Sequence, residues 1–151
     1  MTAIPARPPW AVIGAVSAGG ALGSVLRWGV GQGMGEYAGW PWATFFVNLT
    51  GAFALGVVMV LAVELRTVVP RWRSRPPSRL FRPFWGVGVC GGYTTFSAFA
   101  LEVHHLLVGG RMVLAAAYVG ASVIGGVLAV VLGMIAARRL WGDARPAGAG
   151  S

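Results

Sequence analysis

The sequence predicts an all-α membrane protein with four transmembrane helices, the third of them broken near its middle. Three observations lead there. Of 151 residues, 56% are hydrophobic and only 11% are charged, against about 25% charged in a soluble domain, and the mean hydropathy is +0.71. Four stretches meet or approach the ~20 apolar residues that cross a hydrocarbon core about 30 Å thick. The charges that remain, 12 basic and 4 acidic, collect between those stretches. The same composition excludes a disordered chain.

The first span runs over 10–33 and is interrupted only by Arg27. The second, 41–63, has no charge but carries Thr44, Asn48 and Thr50; the third, 83–108, holds Glu102 and two histidines toward its end; the fourth, 112–137, is uncharged throughout. Together they make one membrane domain over 10–141, flanked by an N-terminal segment 1–9 and a small polar tail 142–151 expected to be disordered. A cleavable signal peptide would be followed by a polar mature domain, whereas three more apolar spans follow here. Between Arg66 and Arg82, proline and arginine exclude a spanning helix and predict a solvated loop at the lipid headgroups.

A formal charge of +8 and a pI near 11.5 raise the question of nucleic acid. Position argues against it. All 12 basic residues are arginine, and ten of them flank or separate the apolar stretches, as expected where membrane helices meet an anionic lipid surface. With four spans, the two termini and the second loop share one side. That side holds ten arginines, Arg7, Arg66, Arg71, Arg73, Arg75, Arg79, Arg82, Arg138, Arg139 and Arg145, against Arg111 and, counted generously, Arg27 on the other. The bias predicts a multi-pass protein of the cell membrane with both termini cytoplasmic. With 2 His and 1 Cys there is neither a zinc cluster nor an intrachain disulfide, and Cys90 is expected to be a buried thiol.

The run GVCGGYTTFSAF, residues 88–99, carries most of the chemistry. Gly91 and Gly92, followed by Thr94, Thr95 and Ser97 at membrane depth, suggest a break in the helix. A break frees main-chain carbonyls, which in hydrocarbon cost several kcal/mol unless protein, water or an ion satisfies them. The competing reading is a notch for close packing, with Gly88 and Gly92 as a small-xxx-small pair and the hydroxyls bonded back to their own helix. Phe96 and Phe99, three apart, share a face; their ring edges carry positive potential and can favour a small anion in a dry passage, although core or lipid-facing filler is the default for such a pair. Thr44, Asn48 and Gly51 share one face of the second span, and the amide of Asn48 needs a partner, as interhelical glue or as a ligand for something that crosses. Arg27 implies a function, or at least a water-filled vestibule, unless it snorkels to the interface. Glu102 could pair with a cation, shuttle a proton or mark the end of its span. Tyr118 and Ser122 form a short polar track on the fourth span, and Gly19 and Gly23 a second small-xxx-small face.

GGALGSVLRW in the first span, TFFVNLTGAFALG in the second and GVCGGYTTFSAF in the third resemble the Fluc/CrcB family of fluoride channels. The resemblance covers Trp10 to Trp141 in order and spacing. It implies a four-helix subunit working as an antiparallel, dual-topology-type dimer with two narrow fluoride pores. It implies also a structural sodium ion at the dimer centre, not transported, held by main-chain carbonyls that match Gly91 and Thr94. The pore residues of the family match Asn48, Phe96 and Phe99, with Ser97, Tyr118 and Ser122 on the polar track. Arg27 matches the vestibule arginine and Glu102 the acid after the phenylalanines; with Thr44 they form the expected vestibule or gating set. Two departures are visible, Ala98 and Gly126, each standing where a hydroxyl is common in the family.

The function so implied is passive fluoride export without catalysis. Homodimers that insert in both orientations need little arginine bias, so ten against two predicts one-way insertion and pairing with an oppositely oriented homologue. A small multidrug-type proton-coupled antiporter also has four short helices, but it needs a titratable carboxylate deep in a span, and the first span has none before Glu36. A non-conducting partner subunit is the third reading. Enzymes are disfavoured because no nucleophile, base and orienting group occur together.

Overall fold

The computed structural model describes residues 10–34, 39–64 and 78–142. The segment 1–9, Glu36, the arginines from Arg66 to Arg75 and the tail from 143 lie outside the described residues. Of the described residues, 89% are helical. α1 spans Trp10–Gly33; α2 spans Trp42–Met59 and continues through a π-helical turn, Val60–Glu64; α3 combines a π-helical stretch, Arg82–Cys90, with an α-helical turn, Gly91–Tyr93; α4 spans Phe96–Val108; α5 spans Met112–Gly142.

Three helices are long and apolar enough to cross a membrane, Trp10–Gly33, Trp42–Val63 and Met112–Trp141. The stretch read from sequence as a third span arrives instead as α3 and α4. The 13 residues of α4 rise about 20 Å at ~1.5 Å per residue, so neither piece spans alone. α5 outruns its expected end at residue 137, because arginine is a good helix former and the helix carries Arg138 and Arg139 onward to Gly142.

α1 packs chiefly on α3, and α2 chiefly on α5. Both contacts are made by glycine. A Cβ on Gly19 or Gly23 would run into the backbone of Phe84 or Val89, and one on Gly92 into the backbone of Gly20. The same holds across the second pair, where Gly56 meets the Val130 backbone and Gly133 the Phe53 backbone. Close backbone approach replaces the hydrophobic drive that lipid cannot supply between helices. Gly88 and Gly92 are therefore the packing notch the sequence allowed, and the chain also leaves the helix two residues later.

The turn between α4 and α5 fixes one more position. Gly110 sits at φ 72°, Arg111 N donates to Leu106 O at 2.8 Å and Gly110 N to Leu107 O at 3.0 Å. This is the Schellman pattern, in which a left-handed glycine closes the last helical carbonyls, and it sets Arg111 at the start of α5.

Candidate functional site

The site is built around Thr94 and Thr95, which separate α3 from α4. Both are extended, Thr94 at φ −77°, ψ 159° and Thr95 at φ −146°, ψ 123°. Extended residues between two helices strand donors and acceptors, and the neighbouring side chains take them up. Thr95 N donates to Asn48 Oδ1 at 2.8 Å, and Asn48 Nδ2 donates to Thr95 O at 3.0 Å. Thr95 Oγ1 caps α4 by accepting from Ala98 N at 3.2 Å. Thr94 keeps its bonds to the helix behind it, N and Oγ1 both donating to Cys90 O at 2.9 Å. From α1, Arg27 Nη1 donates to Thr94 O at 3.4 Å and Ser24 Oγ to Gly92 O at 3.5 Å.

The face Thr44, Asn48, Gly51 of α2 is turned onto this junction. Gly51 receives the Thr94 methyl where its own Cβ would stand. One turn back, Thr44 Oγ1 donates to Glu102 Oε1 at 2.6 Å, and Tyr118 OH donates to Glu102 Oε2 at 2.7 Å. Thr44 and Tyr118 are buried. Glu102 therefore ties α4 to both α2 and α5.

Phe96 and Phe99 lie side by side, ring centroids 5.9 Å apart, and Phe99 packs on Tyr118 at 5.2 Å with the rings tilted by 43°. Phe96 is 80% exposed in the protomer. Ser97 Oγ lies 3.3 Å from Thr95 Oγ1. Ser122 Oγ is buried without a hydrogen-bond partner, as is Trp40 Nε1. Gly91 is exposed, and a Cβ there would meet nothing within 4 Å.

Two cavities flank Glu102 and Thr44. One, about 320 Å³, is lined by Arg27, Thr44, Thr95, Ser97 and Ala98 among others. The second, about 460 Å³, is lined by Trp40, Glu102, His105 and Arg111 among others. Ala43 lines both, so the Thr44–Glu102 bond stands between them. Among the described residues no group of three or more His, Cys, Asp or Glu could hold a metal ion.

The sequence reading named the polar groups but missed two of their partners. Thr95 acts through its backbone, which no residue type announces. Trp40 closes an aromatic cluster, 5.6 Å from Phe45 and 5.4 Å from Tyr118, and its position beside the second span was the available signal. Asn48 was open between interhelical glue and a ligand for something that crosses; in the structure both ends of its amide are on Thr95, the first of the two, with one Nδ2 hydrogen beyond that pair.

Comparison with known proteins decides the family. Residues 14–134 match the family described as CrcB-like protein, Camphor Resistance (CrcB). The chain belongs to the CrcB family. It is 45% identical over 145 residues to fluoride-specific ion channel FluC 2 of Nocardia farcinica, covering 93% of this chain and 97% of that one. Fluoride-specific ion channel FluC of Nitrobacter winogradskyi is 43% identical over 127 residues, 83% of this chain and 94% of its own. Fluoride-specific ion channel FluC 1 of Streptomyces coelicolor is 38% identical over 143 residues, 91% and 87% of the two chains. All three carry the name of an ion channel, which is not an enzyme class. As a CrcB protein with three helices able to span a bilayer, the chain is a membrane protein.

Proposed function

We propose that this CrcB chain is one subunit of a passive fluoride channel that lowers cytoplasmic fluoride across the cell membrane. The observation that carries the reading is the paired bonding of Asn48 with Thr95, which holds two helix ends facing each other at membrane depth. Helix ends carry opposite partial charge, about half an elementary charge each. The α4 N-terminus, whose first turn has N–H groups beyond the one that Thr95 Oγ1 takes from Ala98, adjoins the cavity lined by Ser97 and Arg27. Such an end favours an anion.

A small anion entering the cavity beside Arg27 meets the Ser97 hydroxyl and the edges of Phe96 and Phe99. Next come the Thr44, Tyr118 and Glu102 group and the unpartnered hydroxyl of Ser122. The hydroxyls of Ser97 and Ser122, whose donors are not committed to Glu102 as those of Thr44 and Tyr118 are, replace part of the hydration shell of fluoride together with the ring edges, and no proton or covalent chemistry is needed. An inside-negative potential supplies about 2.3 kcal/mol per charge per 100 mV for export.

The α3 C-terminus offers the opposite chemistry. Thr95 N–H, which a continuing helix would give to Gly91 O, goes to Asn48 instead, and Thr94 O has a lone pair beyond its 3.4 Å bond to Arg27. These two carbonyls fit a structural sodium ion, which takes oxygen ligands. Two are too few for a closed shell, so a second, antiparallel subunit would supply the others. The arginine bias makes that partner an oppositely oriented homologue.

The test is fluoride release from liposomes holding the purified chain, followed by electrode with chloride as control. Selective fluoride release by the chain alone establishes the channel and removes the heterologous partner. Release only after adding an oppositely oriented homologue supports both parts. Absence of release in both cases overturns the channel.

A further inference from the structure

We infer that Tyr93 is the positioning residue of the α3 C-terminus: its hydroxyl, bonded to Thr50 on α2, fixes where the main-chain carbonyls of Gly91 and Thr94 point. The inference rests on the sodium reading above and gives a side chain to a task that reading leaves to the backbone alone.

The end of α3 needs such a device. Thr94 and Thr95 are extended, so the carbonyls before them lose the continuing helix that would hold them in line. Beyond the break, Asn48 holds Thr95, which leaves the rotation of the turn Gly91–Tyr93 unspecified. The bonds from α1, Ser24 Oγ to Gly92 O at 3.5 Å and Arg27 Nη1 to Thr94 O at 3.4 Å, are long for hydrogen bonds. Tyr93 makes a shorter one, its OH lying 3.0 Å from Thr50 Oγ1. Thr50 has a single hydroxyl hydrogen, and Phe46 O takes it at 2.7 Å. Tyr93 is therefore the donor and Thr50 the acceptor.

Packing alone does not hold the ring. One edge lies against Gly51, where a Cβ would stand 3.1 Å from Tyr93 Cδ1. The ring also borders an apolar cavity of about 300 Å³, lined by Leu26, Val30, Ala54 and Cys90 among others, into which it could turn. On the α1 side the Tyr93 nitrogen is pinned by close approach, since a Cβ on Gly23 would lie 2.7 Å from it. The last turn of α3 thus has one backbone anchor on α1 and one hydroxyl anchor on α2, and two anchors fix its rotation where one would not. Thr94 follows Tyr93 directly and Gly91 precedes it by two residues, so their carbonyls turn with it.

The experiment follows the unfolding midpoint in detergent and fluoride release from vesicles over a sodium series, with N-methylglucamine holding the ionic strength. It compares wild type, Tyr93→Phe, Thr50→Val and the double variant, with the oppositely oriented homologue added where the chain alone releases no fluoride. Sodium should raise the wild-type midpoint. The net worth of one hydrogen bond shifts an equilibrium about two- to tenfold, so Tyr93→Phe should need about two- to tenfold more sodium for half the effect in both readouts. Added sodium should close the gap to wild type. Thr50→Val should reproduce the shift, and the double variant should add nothing to it, because both changes remove one bond. An equal sodium requirement in Tyr93→Phe and wild type overturns the inference. So does a lowered midpoint that sodium does not recover, which marks a purely structural role, or a double variant whose shift is the product of the two single shifts. A wild-type midpoint indifferent to sodium overturns the sodium reading and the inference with it. Absence of fluoride release with and without the homologue overturns the channel reading, while the midpoints still decide the role of Tyr93.

Discussion

Asn48 and Thr95 exchange two hydrogen bonds, the amide of one side chain pairing with both main-chain groups of the other residue at 2.8 and 3.0 Å. A side-chain amide donates and accepts through the same two-atom fork as a peptide unit, so it closes the gap in the helix as a peptide unit would. Asn48→Ala leaves a donor and an acceptor of Thr95 unpaired, at about 1–3 kcal/mol each. Asn48→Asp keeps the acceptor, loses the donor and places a negative charge in an anion path. Thermal unfolding in detergent should show Asn48→Ala less stable than wild type, and fluoride release should be lost in both. Wild-type release from Asn48→Asp would show that fluoride passes elsewhere.

Phe96 is the complementary case. Its ring is 80% exposed in the protomer and touches Phe99 at 5.9 Å. Replacing it removes little buried area, and surface substitutions stay within about 0.5 kcal/mol. Phe96→Ile keeps bulk and loses the positive ring edge. The expected result is reduced fluoride release with an unchanged unfolding midpoint; unchanged release would remove the ring from the pathway.

Much of this arrangement was legible because helical spacing is rigid. Thr44, Asn48 and Gly51, read as one face from their four- and three-residue spacing, do meet α3 and α4 together, and Phe96 and Phe99 do lie side by side. Glycine spacing marked Gly19 and Gly23, and Gly88 and Gly92, as two close-packing faces for the same reason, and the structure brings the two together. What spacing cannot give is which long-range partner a polar group takes. Asn48 binding the Thr95 backbone, and Glu102 accepting from Thr44 at 2.6 Å and Tyr118 at 2.7 Å, depend on how three helices are juxtaposed. Arg111 entered the sequence reading only as a loop charge, since its approach to Gly39 depends on two turns that are far apart in the chain.

The glycine contacts yield a sharp contrast between positions of equal composition. A Cβ at Gly23 would strike the Val89 carbonyl and the Tyr93 nitrogen, while one at Gly14 would meet nothing within 4 Å. Backbone cannot swing aside as a side chain can. Gly23→Val should therefore separate α1 from α3 and cost more than the roughly 1–3 kcal/mol typical of overpacking. Gly14→Ala should be neutral or stabilising by up to about 1 kcal/mol through helix propensity. Unfolding midpoints in detergent compare them directly, and equal midpoints would contradict the observed packing of α1.

The Glu102 cluster predicts an order among substitutions at one site. Hydroxyls can reverse direction and accept where they once donated, so Glu102→Gln retains a bond to each of Thr44 and Tyr118. Glu102→Leu leaves both hydroxyls unpaired, about 1–3 kcal/mol each, with Tyr118 fully enclosed. Thermal unfolding should place Glu102→Gln near wild type and Glu102→Leu well below it. The reverse order would mean that the Thr44 and Tyr118 hydroxyls need no polar partner at position 102.

Orientation gives the last test. Of the 12 arginines, ten belong to the segments expected on one side, and each basic residue near a span end adds to the preference for the cytoplasmic face. A chain with that bias should insert one way. Reporter domains active only in the cytoplasm or only outside it, fused in turn to each terminus, should then report both termini inside. Moving the bias should move the protein: replacing Arg73, Arg75, Arg79 and Arg82 with glutamine and adding arginines beside Arg111 should bring signal from both sides. A single orientation leaves an antiparallel dimer without its second half, so fluoride resistance in cells should require a co-expressed relative of opposite bias. Equal reporter signal from both sides of the unaltered chain would instead make it self-sufficient as a homodimer.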